Sequence, residues 1–304
     1  MELRVLQYFL AVAREQSISA AAQSLHLSQP TLSTQLKGLE ERLGKQLLVR
    51  GRKGSRKVTL TEEGMILRKR AEEILKLVQK AETEIMLSDD NIAGDICIGA
   101  GETQIIRVFA KAAQALQKRH PNIHYQIFSG NAFYVMEQLD KGLIDFGLVY
   151  DRVDLTKYEA VKVPIKDVWG VLMRKDSPLA QKQSISPEDL WDKPLLVSAQ
   201  KGDDWVIKDW IKKDFHELNI VAEYNLLFNA SLLTSEGFGY AICFDNLVNT
   251  QGDSNLCFRP LSPRLEAEAS IVWKKYQVFS KAAALFLKQL EKCLEQEKET
   301  AQKE

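Results

Sequence analysis

The stretch Ser17 to Glu40, SISAAAQSLHLSQPTLSTQLKGLE, ends in a run of short polar side chains at helical spacing. At about 100° per residue, Pro30, Ser33, Thr34, Lys37 and Glu41 share one face, and Gln29 stands at the start. Hydroxyls and amides on the first turns of a helix are the groups that hydrogen-bond to base edges in a major groove. Further on, Arg50-Gly-Arg52-Lys53-Gly-Ser-Arg56-Lys57 holds five basic residues in eight. Such a cluster grips phosphates without reading sequence. Taken alone, the first pattern also fits a solvated amphipathic helix and the second a solvated loop. Their adjacency points to duplex DNA.

Two apolar stripes must position these groups. Ile18, Ala21, Ala22 and Leu25 recur at spacings of three and four, one face of a short helix. Leu32, Leu36, Leu39 and Leu43 form the stripe of a second helix, opposite the polar face. His26-Leu27-Ser28 between them leaves room only for a tight turn. Ser28 or Gln29 can cap the second helix, with Pro30 in its first turn and Gly44 ending it. Before them, Leu3 to Arg14 reads as a core helix through Leu3, Leu6, Leu10 and Ala13. After them, Leu47-Leu48-Val49 and Lys57-Val58-Thr59-Leu60 can pair as a hairpin with the basic cluster at its tip, a wing.

Charge follows the same division. Residues 1–60 carry ten Lys/Arg against four Asp/Glu, a net +6. Residues 61–93 and 94–304 are each at −3, so the chain is neutral overall. A basic head on a mildly acidic body is the expected footprint of a nucleic-acid-binding domain joined to something else. With 304 residues and 45% hydrophobic content, two or three globular domains are expected. Cys97, Cys243, Cys257 and Cys293 have no CxxC spacing and read as reduced thiols of a cytoplasmic protein. No secretory signal is read, and no run approaches the ~20 apolar residues of a membrane span.

Thr61 to about Ser88 reads as one long helix, with Thr61 as its cap and Glu62 and Glu63 at its positive end. Leu60, Gly64, Leu67, Ala71, Ile74, Val78, Ala81 and Ile85 step alternately by four and three, a coiled-coil seam that favours dimerisation over packing on its own domain. From Ser88 a polar linker leads to alternating elements: strands at Ile96 to Gly99, His124 to Phe128 and Phe146 to Tyr150, with helices at Gln104 to His120 and Tyr134 to Lys141. The pattern restarts near Pro164. Strands follow at Val168 to Met173, Pro194 to Val197, Ala222 to Leu226, Tyr240 to Phe244 and Ile271 to Lys274. Helices follow from Ser186 to Leu190, Val206 to Phe215, Leu232 to Gly237 and Lys281 to Leu294, with a fraying tail from Glu295. This grammar predicts a mostly parallel sheet and two lobes with a cleft between them.

The first 65 residues closely resemble the LysR-type family of bacterial transcriptional regulators. The resemblance rests on Phe9, Val12, Ser19-Ala20-Ala21-Ala22-Gln23-Ser24-Leu25, Ser28-Gln29-Pro30-Thr31-Leu32-Ser33, Leu36, Leu39-Glu40, Leu43-Gly44, Leu47, Arg50 and Thr59-Leu60-Thr61-Glu62-Glu63-Gly64. Leu48 departs from the family's usual Phe. The remainder is similar more loosely, through Gly94 to Gly99, His120-Pro121, Gly142 to Leu148 and Glu236-Gly237-Phe-Gly239, where Phe244-Asp245 replaces a common proline. The resemblance implies an α/β chain with an N-terminal winged helix-turn-helix, a long dimerisation helix and a two-lobed α/β effector domain like a periplasmic binding protein. The corresponding boundaries are 1–60 for the DNA-binding domain, 61–93 for the linker helix and hinge, 94–164 with 267–294 for lobe 1, 165–266 for lobe 2, and 295–304 for the tail.

The resemblance further implies promoter DNA, a small-molecule metabolite effector and a homotetramer built as a dimer of dimers, and it leaves RNA polymerase open as a partner; no membrane is involved. Carried over by position, Gln29, Thr31, Ser33, Thr34 and Lys37 read DNA, while Arg50, Arg52 and Lys53 take phosphates. The effector residues are Thr103, Asn131 and Ser198, with Glu102 beside them. Thr103 and Asn131 stand at strand-to-helix turns, where free N–H groups favour anions and where open α/β sheets collect ligands; plain helix capping explains each equally well. Glu102 weighs against a simple anionic effector and favours one with an amino or other donor group.

Other readings find less support. Gly99-Ala-Gly101-Glu-Thr-Gln104 begins like a dinucleotide loop but lacks the third glycine. His26, His120, His124 and His216 form no ligand-spaced cluster, so no catalytic group, metal or cofactor is expected. A solute receptor would need a signal peptide, and a nucleoid-coating protein would bind DNA without sequence preference.

Overall fold

Capping residues decide where the N-terminal helices begin and end. The computed structural model describes residues 1–51, 57–86, 92–150, 153–199 and 206–301. It divides into two units, residues 1–86 and 87–304. In the first, α1 (Leu3–Glu15) ends at Gln16 in the left-handed region, φ 51°. Ser17 then caps α2 (Ile18–Ser24) through the Ala20 N–H at 3.3 Å. His26 makes the tight turn with φ 54°. Ser28, rather than Gln29, caps α3 (Gln29–Leu43), its hydroxyl accepting from the Thr31 N–H at 3.2 Å. Gly44 closes α3 at φ 63°. Phe9, Val12, Ala21, Leu32, Leu36 and Leu39 fill the core that these helices share.

The hairpin follows. β1 (Leu48–Arg50) pairs antiparallel with β2 (Val58–Leu60), Leu48 opposite Leu60. Glu40 anchors it to α3, one carboxylate oxygen accepting from the Leu47 and Leu48 N–H groups at 2.8 and 3.0 Å. Thr61 caps α4 (Glu62–Met86) through the Gly64 N–H at 3.0 Å. The expected seam of α4 divides in two. Ala71 is fully buried and Leu67 packs on the winged core, whereas Ile85 is 84% exposed.

In the second unit the strands are β3 (Gly94–Ala100), β4 (Ile123–Ser129), β5 (Phe146–Val149), β6 (Tyr158–Arg174), β7 (Leu195–Ser198), β8 (Ile220–Tyr224), β9 (Tyr240–Phe244), β10 (Leu256–Pro260) and β11 (Glu266–Lys274). The helices are α5 (Ile106–Gln117), α6 (Ala132–Asp140), α7 (Val206–Ile211), α8 (Leu227–Ser235) and α9 (Lys281–Ala301). The strand order is β4-β3-β5-β11-β6-β9-β7-β8, with β10 on β6. The sheet is mixed rather than mostly parallel. β3 runs parallel to β4 and β5, and β7 to β8 and β9, but β6 and β11 are antiparallel to every neighbour.

Those two strands join the lobes. β6 starts at Tyr158, ten residues before the expected strand, and pairs with β11 before turning to β9 and β10. Pro164 does not interrupt it. The β6–β11 register shifts between Glu268 and Ser270, so residues 163–165 face Ala269 in a bulge, and a residue without an N–H is tolerated there. The division expected at 164/165 and 266/267 therefore runs through two continuous strands. One core lies under β3, β5 and β11 with α5 and α9, centred on Phe146 and Phe286; the other holds Trp169, Ile207, Trp210 and Ile242. α9 also corrects the expected frayed tail. It stays helical to Ala301, and Glu297 pairs with Lys111 of α5.

Candidate functional site

Two regions gather the chemistry. On α3 three of the four leucines of the expected stripe, Leu32, Leu36 and Leu39, are at or below 1% exposure, whereas Leu43 in the last turn is 43% exposed. That burial leaves Gln29, Thr31, Thr34 and Lys37 exposed, with Ser33 half-buried. The Thr31 and Ser28 hydroxyls lie 2.7 Å apart, so part of the hydrogen-bonding capacity of Thr31 is spent on the cap. Gln35, not singled out from the sequence, is also exposed, one helical turn beyond Thr31; an amide at that spacing on the same turns was the signal for it. Gly38 leaves the adjoining surface bare: a Cβ there would meet nothing within 4 Å. Arg50 ends β1, and Gly51 donates to the Lys57 carbonyl at 3.1 Å to close the hairpin stem. Arg52 and Lys53 lie outside the described residues.

The second region is a cleft of about 590 Å³ between the two lobes. Glu102, Asn131 and Ser198 all line it, from the turns after β3 and β4 and from the end of β7. Asn131 also caps α6, its side chain accepting from the Tyr134 N–H at 2.9 Å. Thr103 is not in the lining. It is buried, donates to Asp167 of β6 and accepts from the Ile105 N–H at 3.0 Å. The expectation that Thr103 touches an effector is corrected to a brace: its hydroxyl points at a carboxylate 64 residues away in sequence.

Asp167 is the hub of that brace. It also accepts from the Tyr150 hydroxyl at the end of β5. Burial holds its carboxyl above the usual range, against the hydrogen bonds from Thr103 and Tyr150 that pull it down. Burial, with the Asp167 charge, keeps the Tyr150 phenol protonated. The cleft walls are largely aromatic. Tyr150 and Phe244 lie 5.0 Å apart across the lobes, and Phe244 lies 4.2 Å from Trp169. Trp169 is 8% exposed, and its indole N–H is buried with no acceptor among the described residues. These aromatics read in the sequence as ordinary strand interior, so nothing local marked them as lining.

Glu102 reaches across the cleft. Its carboxylate accepts from the Leu227 N–H at the start of α8, a helix whose own N-cap residue, Leu226, gives no side-chain hydrogen bond. Gln104 makes a second bridge, donating to the Asn246 carbonyl. All four cysteines are buried and none is in a disulfide; Cys243 borders the cleft, and burial pushes its thiol well above the ordinary value. Among the described residues, no helix is long and apolar enough to cross a membrane.

Comparison with known proteins gives these two regions a name. Residues 3–65 match the family described as bacterial regulatory helix-turn-helix protein, lysR family, and residues 89–294 match the LysR substrate binding domain. The chain is 31% identical over 248 residues to the HTH-type transcriptional regulator BsdA of Bacillus subtilis (strain 168), covering 80% of this chain and 83% of that one. It is 27% identical over 282 residues to the Hca operon transcriptional activator HcaR of Escherichia coli (strain K12), covering 90% and 92%. Full-length CbnR, solved in complex with its target DNA, shares the fold with a TM-score of 0.75 at 22% identity over 96% of this chain and 100% of that one. With α3 presenting its polar face, the cleft formed between two lobes, and both family models matched in order, the chain belongs to the LysR family and is a DNA-binding transcriptional regulator with an effector-binding domain.

Proposed function

We propose that this regulator reads its operator with the N-terminal half of α3. Gln29, Thr31, Ser33, Thr34 and Lys37 meet base edges, and Gln35 joins them. Arg50, Arg52 and Lys53 hold phosphates on either side. The observation that carries this reading is the division of α3 itself: three leucines at or below 1% exposure on one face leave an amide- and hydroxyl-bearing turn outward on the other. Small-molecule control operates through the interlobe cleft, with Glu102, Asn131 and Ser198 as contacts and Thr103 as the brace behind them. The lobes comprise residues 94–164 with 267–294, and 165–266. The exposed end of the α4 seam pairs two copies, and pairs of dimers give a homotetramer. The regulator works in the cytoplasm, where RNA polymerase is its further partner at the promoter.

The test compares a reader with a clamp. Footprinting of genomic fragments with the purified protein defines the operator. On it, Gln29→Ala relaxes sequence preference by about 1–3 kcal/mol at one position. Arg52→Ala weakens binding to every sequence alike and lowers the salt slope by about one. Equal losses on every sequence from both variants refute the assignment.

A further inference from the structure

We propose that Glu102 is a built-in carboxylate that occupies the place of an anionic effector, so that the cleft selects a cationic or uncharged molecule. The inference rests on the reading of the cleft as the effector site and names the chemistry it accepts. The first nitrogen of a helix start is an anion site because its N–H groups have no partner within the helix and the dipole adds positive potential. α8 begins this way in the cleft wall, at Leu227, with no cap from its own segment. The group found on that N–H comes from the opposite lobe, the Glu102 carboxylate. A carboxylate ligand entering the cleft meets that charge instead of the helix.

The rest of the lining agrees. Among the described lining residues there is no Lys, Arg or His. Two further carboxylates, Glu266 and Glu268, stand at the rim, paired with Lys166. The Glu102 charge also adds to burial in keeping the Tyr224 and Cys243 groups protonated. Trp169 and Phe244, 4.2 Å apart, and Tyr150 supply flat apolar faces beside that carboxylate. The fitting ligand therefore offers a donor to Glu102 and an apolar body to the rings of Tyr150, Tyr224 and Phe244. An ammonium or amide beside an aromatic or aliphatic body meets these terms, and the rings add attraction for a cation.

The test uses two probes with the same body and opposite charge, 3-phenylpropylamine and 3-phenylpropionate, titrated by calorimetry into the full-length protein, Glu102→Ala and Glu102→Gln. The wild type prefers the amine. Glu102→Ala frees the α8 N–H groups and binds the carboxylate at least about tenfold more tightly than the wild type does, the equivalent of one charge-assisted hydrogen bond. Glu102→Gln keeps an acceptor on Leu227 without the charge, so its preference for the amine is lost even if the alanine variant does not fold. A wild type that binds 3-phenylpropionate as tightly as a folded Glu102→Ala, or a Glu102→Gln that keeps the wild-type preference for the amine, overturns the proposal. Operator binding is read in the same samples by fluorescence anisotropy. A switch in ligand charge with no effect of either probe on DNA contradicts the cleft's regulatory role and leaves the selectivity standing. No switch, with DNA binding still responsive to other metabolites, contradicts the selectivity alone.

Discussion

Two glycine-to-alanine changes in the DNA-binding unit are expected to move stability in opposite directions. A Cβ on Gly64 would lie 2.2 Å from the Leu47 carbonyl oxygen and 3.3 Å from Leu60 Cβ. The obstacle is backbone, so it does not rotate away. To reach ordinary contact, α4 must shift from β1 by about 1 Å. The same junction holds the Thr61 hydroxyl on the Gln46 carbonyl at 2.7 Å and the Thr61 N–H on the Leu47 carbonyl at 3.0 Å. Overpacking of this kind costs about 1–3 kcal/mol, and a weakened cap about 1 kcal/mol more. Alanine's better helix propensity returns about 1 kcal/mol, leaving Gly64→Ala destabilised by about 1–3 kcal/mol. Gly38 sits in α3 with nothing within 4 Å of its added Cβ, so Gly38→Ala keeps only the gain, about 0.5–1 kcal/mol. The readout is separable because all five tryptophans lie at or beyond residue 169. In urea, tryptophan fluorescence follows the effector unit, while far-UV ellipticity also follows the helical N-terminal unit. Gly64→Ala lowers the midpoint of the ellipticity transition by about 1 M and Gly38→Ala raises it, with fluorescence unchanged. Shifts of the same sign in both variants refute the claim that local space decides the outcome. Reduced DNA affinity of the more stable Gly38→Ala would show that the bare patch on α3 is kept for the approach of the duplex.

Asp167 gives a pH-dependent prediction. Its folded carboxyl is raised by burial, so the fold favours the protonated form. That contribution is full below the unfolded value of about 4 and is lost as pH rises through the folded value. Asp167→Asn keeps an acceptor for Thr103 and Tyr150 and is expected to flatten the fall in effector-unit stability above about pH 4, measured by urea unfolding at a series of pH values. Asp167→Ala strands two hydroxyls and costs about 2–4 kcal/mol; a slope unchanged in the asparagine variant assigns the pH dependence elsewhere. At the far end of α4, Ile85→Glu places a charge on the exposed end of the seam. Light scattering is expected to show dissociation toward monomer, and an unaltered mass removes Ile85 from the interface.

The DNA-binding unit was legible because its signals are local. Ser28, Thr61 and Gly44 act within a few residues of themselves, and the leucine stripe needs no distant partner to be recognised. In the effector unit, partners far along the chain decide. The start of β6 was unreadable because Lys162, Pro164, Lys166 and Asp167 look like a break, yet β11 supplies the pairing and Glu268 the counter-charge for both lysines. β10 was missed because its five residues form a strand only against β6. α8 begins at Leu227, five residues before the expected start, and takes its cap from Glu102 across the cleft. Asn131 and Ser198, expected from the resemblance, and Glu102 beside them line the cleft, while Thr103, at the same kind of turn as Asn131, is claimed by Asp167. Arg52 and Lys53 lie outside the described residues, and the grip on phosphates rests on their charge in the sequence.

The late return of β11 and α9 sets an order on synthesis. Phe146 and Ile98 are made early, but Ile271 and Phe286, which cover them, come more than a hundred residues afterward. While a ribosome adds the intervening stretch, at roughly 5–20 residues per second, the nascent first lobe holds an uncovered greasy floor for several seconds or more. A stop codon just short of α9 would therefore spoil the lobe whose synthesis began first and spare the one inserted in the middle of the chain.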